Sequence, residues 1–209
     1  FARTPALPSM RLLAARTTGV LVALLATALT LSACGPATPK FKGSDVTGSA
    51  FGRDFALVDV DGKPRTLVDY RGKAVVLFFG YTQCPDVCPT TLSTLAEAMK
   101  QLGPDADRVQ GVFVTVDPER DTAELLKQYV PAFDARFVGL RGDAAQTEAV
   151  AKEFRIIFQK VPGRTPETYT VDHSAGIFLF DPAGRLRVYE GHGQPPDVLA
   201  HDLRLLLAS

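Results

Sequence analysis

The sequence predicts an α/β protein in which a mixed central sheet is flanked by helices. Apolar runs of strand length alternate with amphipathic stretches of helix length along most of the chain. Two of these runs, Ala74–Gly80 and Val109–Val116, are almost continuously apolar, which is typical of strands buried on both faces. The last part of the chain reads as an antiparallel strand pair followed by a helix, so the sheet is expected to contain both strand directions.

Each element has its own local signal. The predicted strands are Phe55–Val60, Arg65–Val68, Ala74–Gly80, Val109–Val116, Phe137–Leu140, Ile156–Val161, Tyr169–Val171, Ile177–Phe180 and Leu186–Tyr189. Turn residues at 61–62, 162–168 and 181–184 join neighbouring strands, which predicts β-hairpins near the N-terminal end of the domain and inside it. The predicted helices are Thr90–Leu102, a helix from a cap at Asp121 to Pro131, a helix from a cap at Asp143 through Phe154, and Asp197–Leu207.

The first 33 residues are predicted to be an export signal. Met10 is a plausible start, so residues 1–9 are read as a fragment or an over-extended start. Arg11 and Arg16 precede an uncharged, mostly apolar stretch from Thr17 to Ala33, as in a secretory signal peptide. An uncut N-terminal anchor is the alternative, although the run is short for a bilayer-spanning helix, which needs roughly 20 residues.

Cys34 is predicted to carry a lipid. The run Leu31-Ser32-Ala33-Cys34 resembles a bacterial lipobox, in which the cysteine becomes the first mature residue. The alternative is an incidental cysteine at a cleavage site. Lipid chains would hold the protein at a membrane without crossing it, facing the periplasm of a bacterial cell envelope. Residues 34–48, rich in Pro, Gly, Ser and Thr, are predicted to be a flexible tether, and residues 49–209 a single domain.

Charge and cysteine content limit the classes of function that the chain can have. The chain has 23 basic and 23 acidic side chains, so nothing indicates a nucleic-acid partner. With Cys34 assigned to the lipid, Cys84 and Cys88 are the remaining cysteines, and export places them in an oxidising compartment. They could form a disulfide switch, a metal clamp or a structural bridge. The bridge is the weakest reading, because so short a loop closes little chain entropy.

The two thiols lie where the buried strand 74–80 gives way to a helix. Pro89 suits the first helical turn, which puts Cys84 on the incoming loop and Cys88 at the helix start. The helix N-terminus is expected to lower the pKa of the thiols and favour thiolate, the form that binds metals and attacks disulfides.

A third ligand would separate these alternatives, and the chain offers three histidines. His201 is read as a solvated residue on the last helix, and His192 as a surface residue in a Gly-His-Gly loop. His173 immediately precedes the apolar strand Ile177–Phe180, where a loop can project a side chain towards a neighbouring strand end. From the residues alone, a structural role for His173 is as plausible as a metal-binding one.

Three separated motifs carry a family resemblance. The runs FGYTQCPDVCP at 79–89, FVTVDPERD at 113–121 and YTVDHS at 169–174 resemble the Sco/SenC family, over about residues 46–207. The resemblance implies a thioredoxin-like fold and one copper ion, bound by Cys84, Cys88 and His173. It also implies a metallochaperone that helps to assemble the dinuclear copper centre of cytochrome c oxidase. Many relatives have a transmembrane helix, whereas this chain is expected to use a lipid.

The donor set agrees with this function. Two thiolates and an imidazole suit Cu(I), and Cu(II) could add a weak fourth ligand. The expected partners are the copper-bearing subunit of cytochrome c oxidase and another copper chaperone as donor. Around the ligands, Asp172 is expected to orient the site or cap its loop, and Tyr81 and Asp86 to shape its rim. Asp121 is read as a helix cap, and Asp117 as a turn residue with a possible influence on the site.

Two other functions remain open at this point. The first is a thiol–disulfide oxidoreductase that reduces the cysteines of the same target before metallation, which would need Cys84 and Cys88 but not His173. The second is a peroxidase, which is disfavoured because the Pro-x-x-x-Thr-x-x-Cys pattern of peroxiredoxins does not match. The chaperone reading predicts a binding protein and not a turnover enzyme.

Overall fold

Ten strands and four α-helices follow one another along residues 39–165 and 168–208, which are those that the computed structural model describes. The strands are β1 Ser44–Asp45, β2 Leu57–Asp59, β3 Pro64–Arg65, β4 Ala74–Gly80, β5 Val109–Thr115, β6 Phe137–Arg141, β7 Phe158–Val161, β8 Thr170–His173, β9 Ile177–Phe180 and β10 Leu186–Glu190. The helices are α1 Val87–Leu102, α2 Ala123–Tyr129, α3 Ala144–Glu153 and α4 Pro196–Leu207.

Eight strands form one sheet, in the order β1-β10-β9-β4-β5-β6-β2-β3. The three central strands β4, β5 and β6 run parallel, while β9, β10 and β1 on one side and β2 and β3 on the other pair antiparallel. The predicted mixed sheet with flanking helices is therefore confirmed. It also explains the apolar runs, because all seven residues of β4 are buried.

The core is packed tightly around the two central strands. Phe78 of β4 lies opposite Phe113 of β5, with ring centroids 6.1 Å apart. Next to them, a Cβ on Gly111 would lie 2.2 Å from the ring of Phe137, so the glycine makes room for that ring. Helices α1 and α4 pack against each other and present buried leucines to the sheet. Each fully buried large apolar side chain contributes about 1.5–3 kcal/mol to the stability of the fold. The packed helices and sheet therefore hold the end of β4 in place.

The β7–β8 hairpin stands apart from this sheet as a second, two-stranded sheet. Its register pairs Phe158 with His173 and Val161 with Thr170. The sequence predicts this hairpin correctly, from apolar residues on both sides of a turn-rich segment. His173 is the last residue of β8 and does not lie in the loop before β9, where it was expected, so the hairpin determines where its imidazole lies.

Two predicted element boundaries differ from the structure by three residues, and several others by one or two. The return strand ends at Arg65, and Leu67–Tyr70 forms a short 3₁₀ helix instead, because the Asp69 carboxylate accepts the Thr66 N–H at 2.7 Å and turns the chain. Helix α1 begins at Val87, three residues before its predicted start. The earlier start puts both Cys88 and Pro89 in the first helical turn.

The predictions for the N-terminal segment fall largely outside the described residues. The signal at 1–33, the lipid on Cys34 and the first part of the tether all belong to that segment. Within the predicted tether, Ser44–Asp45 pairs with Tyr189 and Val188 of β10, so the sheet begins before residue 49. In the described part of the chain, no helix has the length and apolar content to span a membrane.

Candidate metal centre

The two cysteines occupy the junction between β4 and α1. Cys84 is half-buried on the connecting loop, where its N–H donates to the Tyr81 carbonyl at 3.3 Å. Cys88 is fully buried in the first turn of α1. Its N–H donates to Cys84 Sγ at 3.4 Å, so the helix N-terminus points a donor at the neighbouring sulfur. The prediction of one thiol on the loop and one at the helix start is confirmed.

Gly80 leaves space for the buried sulfur. A Cβ at this position would lie 2.7 Å from Cys88 Sγ and 2.9 Å from the Phe113 ring. A Cβ essentially never comes this close to another heavy atom, so a side chain at the end of β4 would push the Cys88 sulfur away from the centre.

His173 approaches the thiols from the hairpin. Its Nε2 lies 3.4 Å from Cys88 Sγ, and its Nδ1 lies 3.0 Å from the Ser174 carbonyl oxygen. A carbonyl can only accept, so we assign the ring proton to Nδ1, which leaves the Nε2 lone pair facing the sulfur. The rings of Phe78 and Tyr81 contact the imidazole edge-on, at centroid distances of 6.3 and 5.9 Å.

The electrostatics of the site keep both Cys88 and His173 neutral. Burial raises the pKa of the Cys88 thiol far above its usual range, and the nearby Cys84 and Asp121 add to this effect. The expectation that the helix N-terminus lowers the pKa of this thiol is therefore wrong, because desolvation outweighs the dipole. Burial lowers the pKa of His173, which favours the neutral imidazole that a metal needs.

One Sγ from each cysteine and one imidazole nitrogen of His173 all lie within 4.8 Å of one another. In the part of the chain that the structure describes, this is the only group of three or more such side chains that could hold a metal. The donor set fits a soft ion such as Cu(I), since thiolate sulfur selects for it. A metal would have to displace the Cys88 proton, so binding and proton release would be coupled.

An open cavity of about 340 Å³ gives access to these ligands, with Cys84 and His173 in its lining. Tyr81 and Asp86, which were expected at the rim, also line this cavity. Tyr81 is a buried wall and not a rim residue, since its hydroxyl accepts the Val171 N–H at 3.2 Å.

The aspartates of the second and third motifs have separate roles. Asp172 is exposed and lines the cavity. The imidazole ring of His173 is oriented by the Ser174 carbonyl, which accepts its Nδ1–H. Asp117 is the expected turn residue, since its carbonyl accepts the N–H groups of Arg120 and Asp121. Its carboxylate additionally contacts the Arg120 guanidinium.

The interpretation of Asp121 as a helix cap is wrong. Thr122 caps α2, accepting the Leu125 N–H at 3.2 Å. Asp121 is buried and accepts hydrogen bonds from the hydroxyls of Thr82 and Thr115, each at 2.6 Å, and from the Thr82 N–H at 3.1 Å. It thereby fixes the loop that leads to Cys84. Adjacent Asp and Thr residues are both good caps, so sequence spacing alone could not decide between them.

The other two histidines lie outside this group. His192 is exposed, with Nδ1 3.5 Å from the Thr91 hydroxyl. His201 is half-buried, with Nδ1 2.6 Å from Asp202 Oδ1, so it has a specific partner beyond the solvent that was expected.

Comparison with known proteins agrees with this geometry. A family model described as SCO1/SenC matches residues 44–208. The chain belongs to the SCO1/SenC family. It is 37% identical over 158 residues to the mitochondrial SCO2 homolog of Mus musculus, covering 75% of this chain and 62% of that protein. An SCO2-like protein of Rickettsia felis is 35% identical over 135 residues, which is 64% of this chain and 66% of that one. The matched region thus spans less than two thirds of these relatives.

Solved structures of Sco proteins share the fold. ScoI of Bradyrhizobium japonicum with copper bound is 42% identical and superposes with a TM-score of 0.69, covering 76% of this chain and all of that one. Apo Sco1 of Thermus thermophilus is 40% identical with a TM-score of 0.72, covering 82% of this chain and 99% of that one. The predicted thioredoxin-like architecture is confirmed.

Proposed function

We propose that this protein is a copper metallochaperone that binds one copper ion through Cys84, Cys88 and His173. The observation that carries the proposal is the convergence of two sulfurs and one imidazole nitrogen within 4.8 Å, at an open cavity. The soft donor set favours Cu(I). Support also comes from the copper bound to the Bradyrhizobium relative, which is 42% identical.

The ion is cargo in this proposal. On the basis of the family resemblance, we infer that the ion is delivered to the copper-bearing subunit of cytochrome c oxidase, where the dinuclear centre is assembled. The three ligands are suited to transfer because Cys84 and His173 line the cavity while Cys88 lies behind them. A partner's thiols can reach the two accessible ligands first and replace them one at a time.

Metal analysis tests this proposal. The purified, reduced protein should bind one copper per chain, and Cys84→Ser, Cys88→Ser and His173→Ala should each weaken binding. His192→Ala is the matched control, because this histidine is exposed and lies outside the group. Wild-type affinity and an unchanged Cu(II) spectrum in His173→Ala would overturn the three-ligand site.

A second candidate, thiol–disulfide exchange, has an observation in its favour. The half-buried Cys84 accepts the N–H of Cys88 at its sulfur and lines the open cavity, so it is the more accessible of the two sulfurs for attack on a disulfide. Cys84 sulfur would attack the disulfide of the target and form a mixed disulfide. Cys88 would then displace the target thiol, so that two electrons pass to the target as the pair oxidises. A reduction potential above that of the target disulfide would rule this out.

We also propose that Cys34 carries a lipid that holds residues 49–209 at a membrane facing the periplasm. The proposal rests on the lipobox-like run and the apolar stretch before it. In a bacterial host, the wild-type protein should partition with membranes and Cys34→Ala should not. Equal partitioning of both would favour an uncut anchor instead.

A further inference from the structure

The metal group is assembled from two parts of the fold that share no sheet. Cys84 and Cys88 belong to the β4–α1 junction of the main sheet, whereas His173 belongs to the separate β7–β8 hairpin. A two-stranded hairpin is marginally stable by itself in water. Contacts between the hairpin and the rest of the domain must therefore set the distance between imidazole and thiols.

Arg120, between β5 and α2, bridges these two parts directly. Its Nη1 donates to the carbonyl of Tyr169, just before β8, at 2.8 Å, and to Oε1 of Gln83 at 3.1 Å. Gln83 immediately precedes Cys84, and Tyr169 is four residues before His173. One nitrogen atom thus joins both ligand-bearing segments.

The guanidinium is itself held in place. Its Nε donates to Asp117 Oδ2 at 2.5 Å, and Asp117 is 1% exposed. The Tyr169 hydroxyl donates to Oδ1 of the same carboxylate at 2.7 Å. The Tyr169 ring lies under the guanidinium, 3.6 Å from ring centroid to Cζ. The Tyr81 ring, which contacts the imidazole of His173, lies 5.7 Å from the same carbon.

Only an arginine can make all of these contacts at once. Its planar fork presents donors in several directions while its face stacks on an aromatic ring. A lysine keeps the charge and can keep the ion pair with Asp117, but its compact ammonium cannot also stack flat on Tyr169 and bridge two acceptors.

We propose that Arg120 is a positioning residue that fastens the histidine hairpin to the cysteine loop and so determines whether copper has three ligands or two. The effect on copper binding rests on the proposed copper function, whereas the attachment of the hairpin by Arg120 can be measured on the protein without any metal. Without the bridge, the hairpin keeps the Tyr81–Val171 and Tyr169–Asp117 hydrogen bonds, the packing of the buried Val171 side chain and the exposed Lys160–Glu119 ion pair. None of these contacts reaches Gln83 beside Cys84, and the exposed ion pair contributes little, so the imidazole moves away from the thiols more often.

The test compares the full chain with Arg120→Lys and with a matched control, Arg136→Lys. Arg136 also pairs with an aspartate shortly before it in the sequence, Asp134 at 2.6 Å, but has no contact with the cysteine loop or the hairpin among the described residues. Amide hydrogen exchange of residues 168–173 is measured first, on reduced protein without copper. Arg120→Lys should speed exchange there roughly tenfold or more and leave α1 and β4 unchanged.

Copper binding is measured second. Pulsed EPR of the Cu(II) form should show coupling to an imidazole nitrogen in wild type and Arg136→Lys, and strongly reduced coupling in Arg120→Lys. The copper affinity of Arg120→Lys should fall roughly tenfold to a hundredfold, as for other residues that orient metal ligands. Tyr169→Leu removes the stacking face and one bond to Asp117, and should reproduce these effects if Arg120→Lys does not fold.

The possible outcomes distinguish a failure of the positioning role of Arg120 from a failure of the proposed copper function. Wild-type exchange at 168–173 and full imidazole coupling in both variants would overturn the positioning role. Faster exchange in Arg120→Lys together with no copper binding by the wild type would refute the proposed function while supporting Arg120 as the fastener of the hairpin.

Discussion

Replacing Glu190 by glutamine should flatten the dependence of protein stability on pH. Glu190 ends β10 and is fully buried, and neither of its carboxyl oxygens accepts a hydrogen bond from the described residues. Burial, together with the neighbouring carboxyl of Asp202, raises the pKa of Glu190 from 4.5 to about 8. Asp202 instead accepts the N–H groups of Lys42 and Gly43, each at 2.9 Å, and contacts His201. The proton of this pair therefore belongs to Glu190.

The sign of the effect follows from proton linkage. Between pH 4.5 and about 8 the folded protein holds a proton on Glu190 that the unfolded chain has lost. Stability is then greatest at the acid end and decreases as pH rises, by about 1.4 kcal/mol per pH unit. From about pH 6 to pH 7.5 the loss is about 2 kcal/mol, which lowers Tm by roughly 4–8 °C in a protein of this size.

The assay is thermal unfolding by circular dichroism across this pH range. Glu190→Gln keeps the shape of the protonated acid and can donate to Asp202, so its stability should resemble wild type near pH 6 and decline less above it. Glu97→Gln, at an exposed glutamate paired with Lys100, should follow the wild-type curve. If the curve of Glu190→Gln runs parallel to that of wild type, Glu190 is not the buried proton carrier.

Three further results are expected. Gly80→Ala should abolish high-affinity copper binding in a metal titration, since its Cβ would displace the Cys88 sulfur; unchanged affinity would show that the strand end can move. Thr122→Ala should cost about 1 kcal/mol in denaturant unfolding, the usual value of a lost helix cap. Asp121→Ala should cost more, because it removes the acceptor of the buried Thr115 hydroxyl and of the half-buried Thr82 hydroxyl; a smaller cost than that of Thr122→Ala would show that these bonds contribute little. Finally, alkylation read by mass spectrometry should modify Cys84 well before Cys88 at neutral pH, because burial both shields Cys88 and raises its pKa; equal rates would contradict this.

The fold was predictable wherever burial leaves a pattern in the sequence. The strand at Ala74–Gly80 is recovered with its observed bounds, because a run of seven small or apolar residues is too short for a typical buried helix and matches a strand buried on both faces. The start of α1 was predicted three residues late, at Thr90, because Val87 and Cys88 have intermediate helix propensity and so mark no clear boundary.

The sequence motifs predicted which three side chains converge at the candidate site, but not the residues that support them. Cys84, Cys88 and His173 all stand in the motifs that carry the family resemblance. Arg120 stood inside a quoted motif without a role, because its partners Gln83 and Tyr169 lie 37 and 49 residues away in the chain. Likewise, the sequence could not show that Thr122 and not Asp121 caps α2, because Asp121 is buried by tertiary packing.

The two cysteines and the histidine of the metal group differ in how firmly the fold holds them, and this difference affects the order in which they would release a metal ion. Cys88 is fixed by the core at β4, α1 and Gly80, so moving it would disturb the most buried part of the protein. His173 is held through a two-stranded hairpin outside the main sheet, which Arg120 and the Tyr81–Val171 hydrogen bond attach to the rest of the domain, and local opening draws on the least stable elements of a fold. The imidazole should therefore leave first and the thiols last. Under the proposed copper function, the ion would then pass through a two-thiolate state, in which incoming thiols begin to replace the ligands at the accessible side of Cys84.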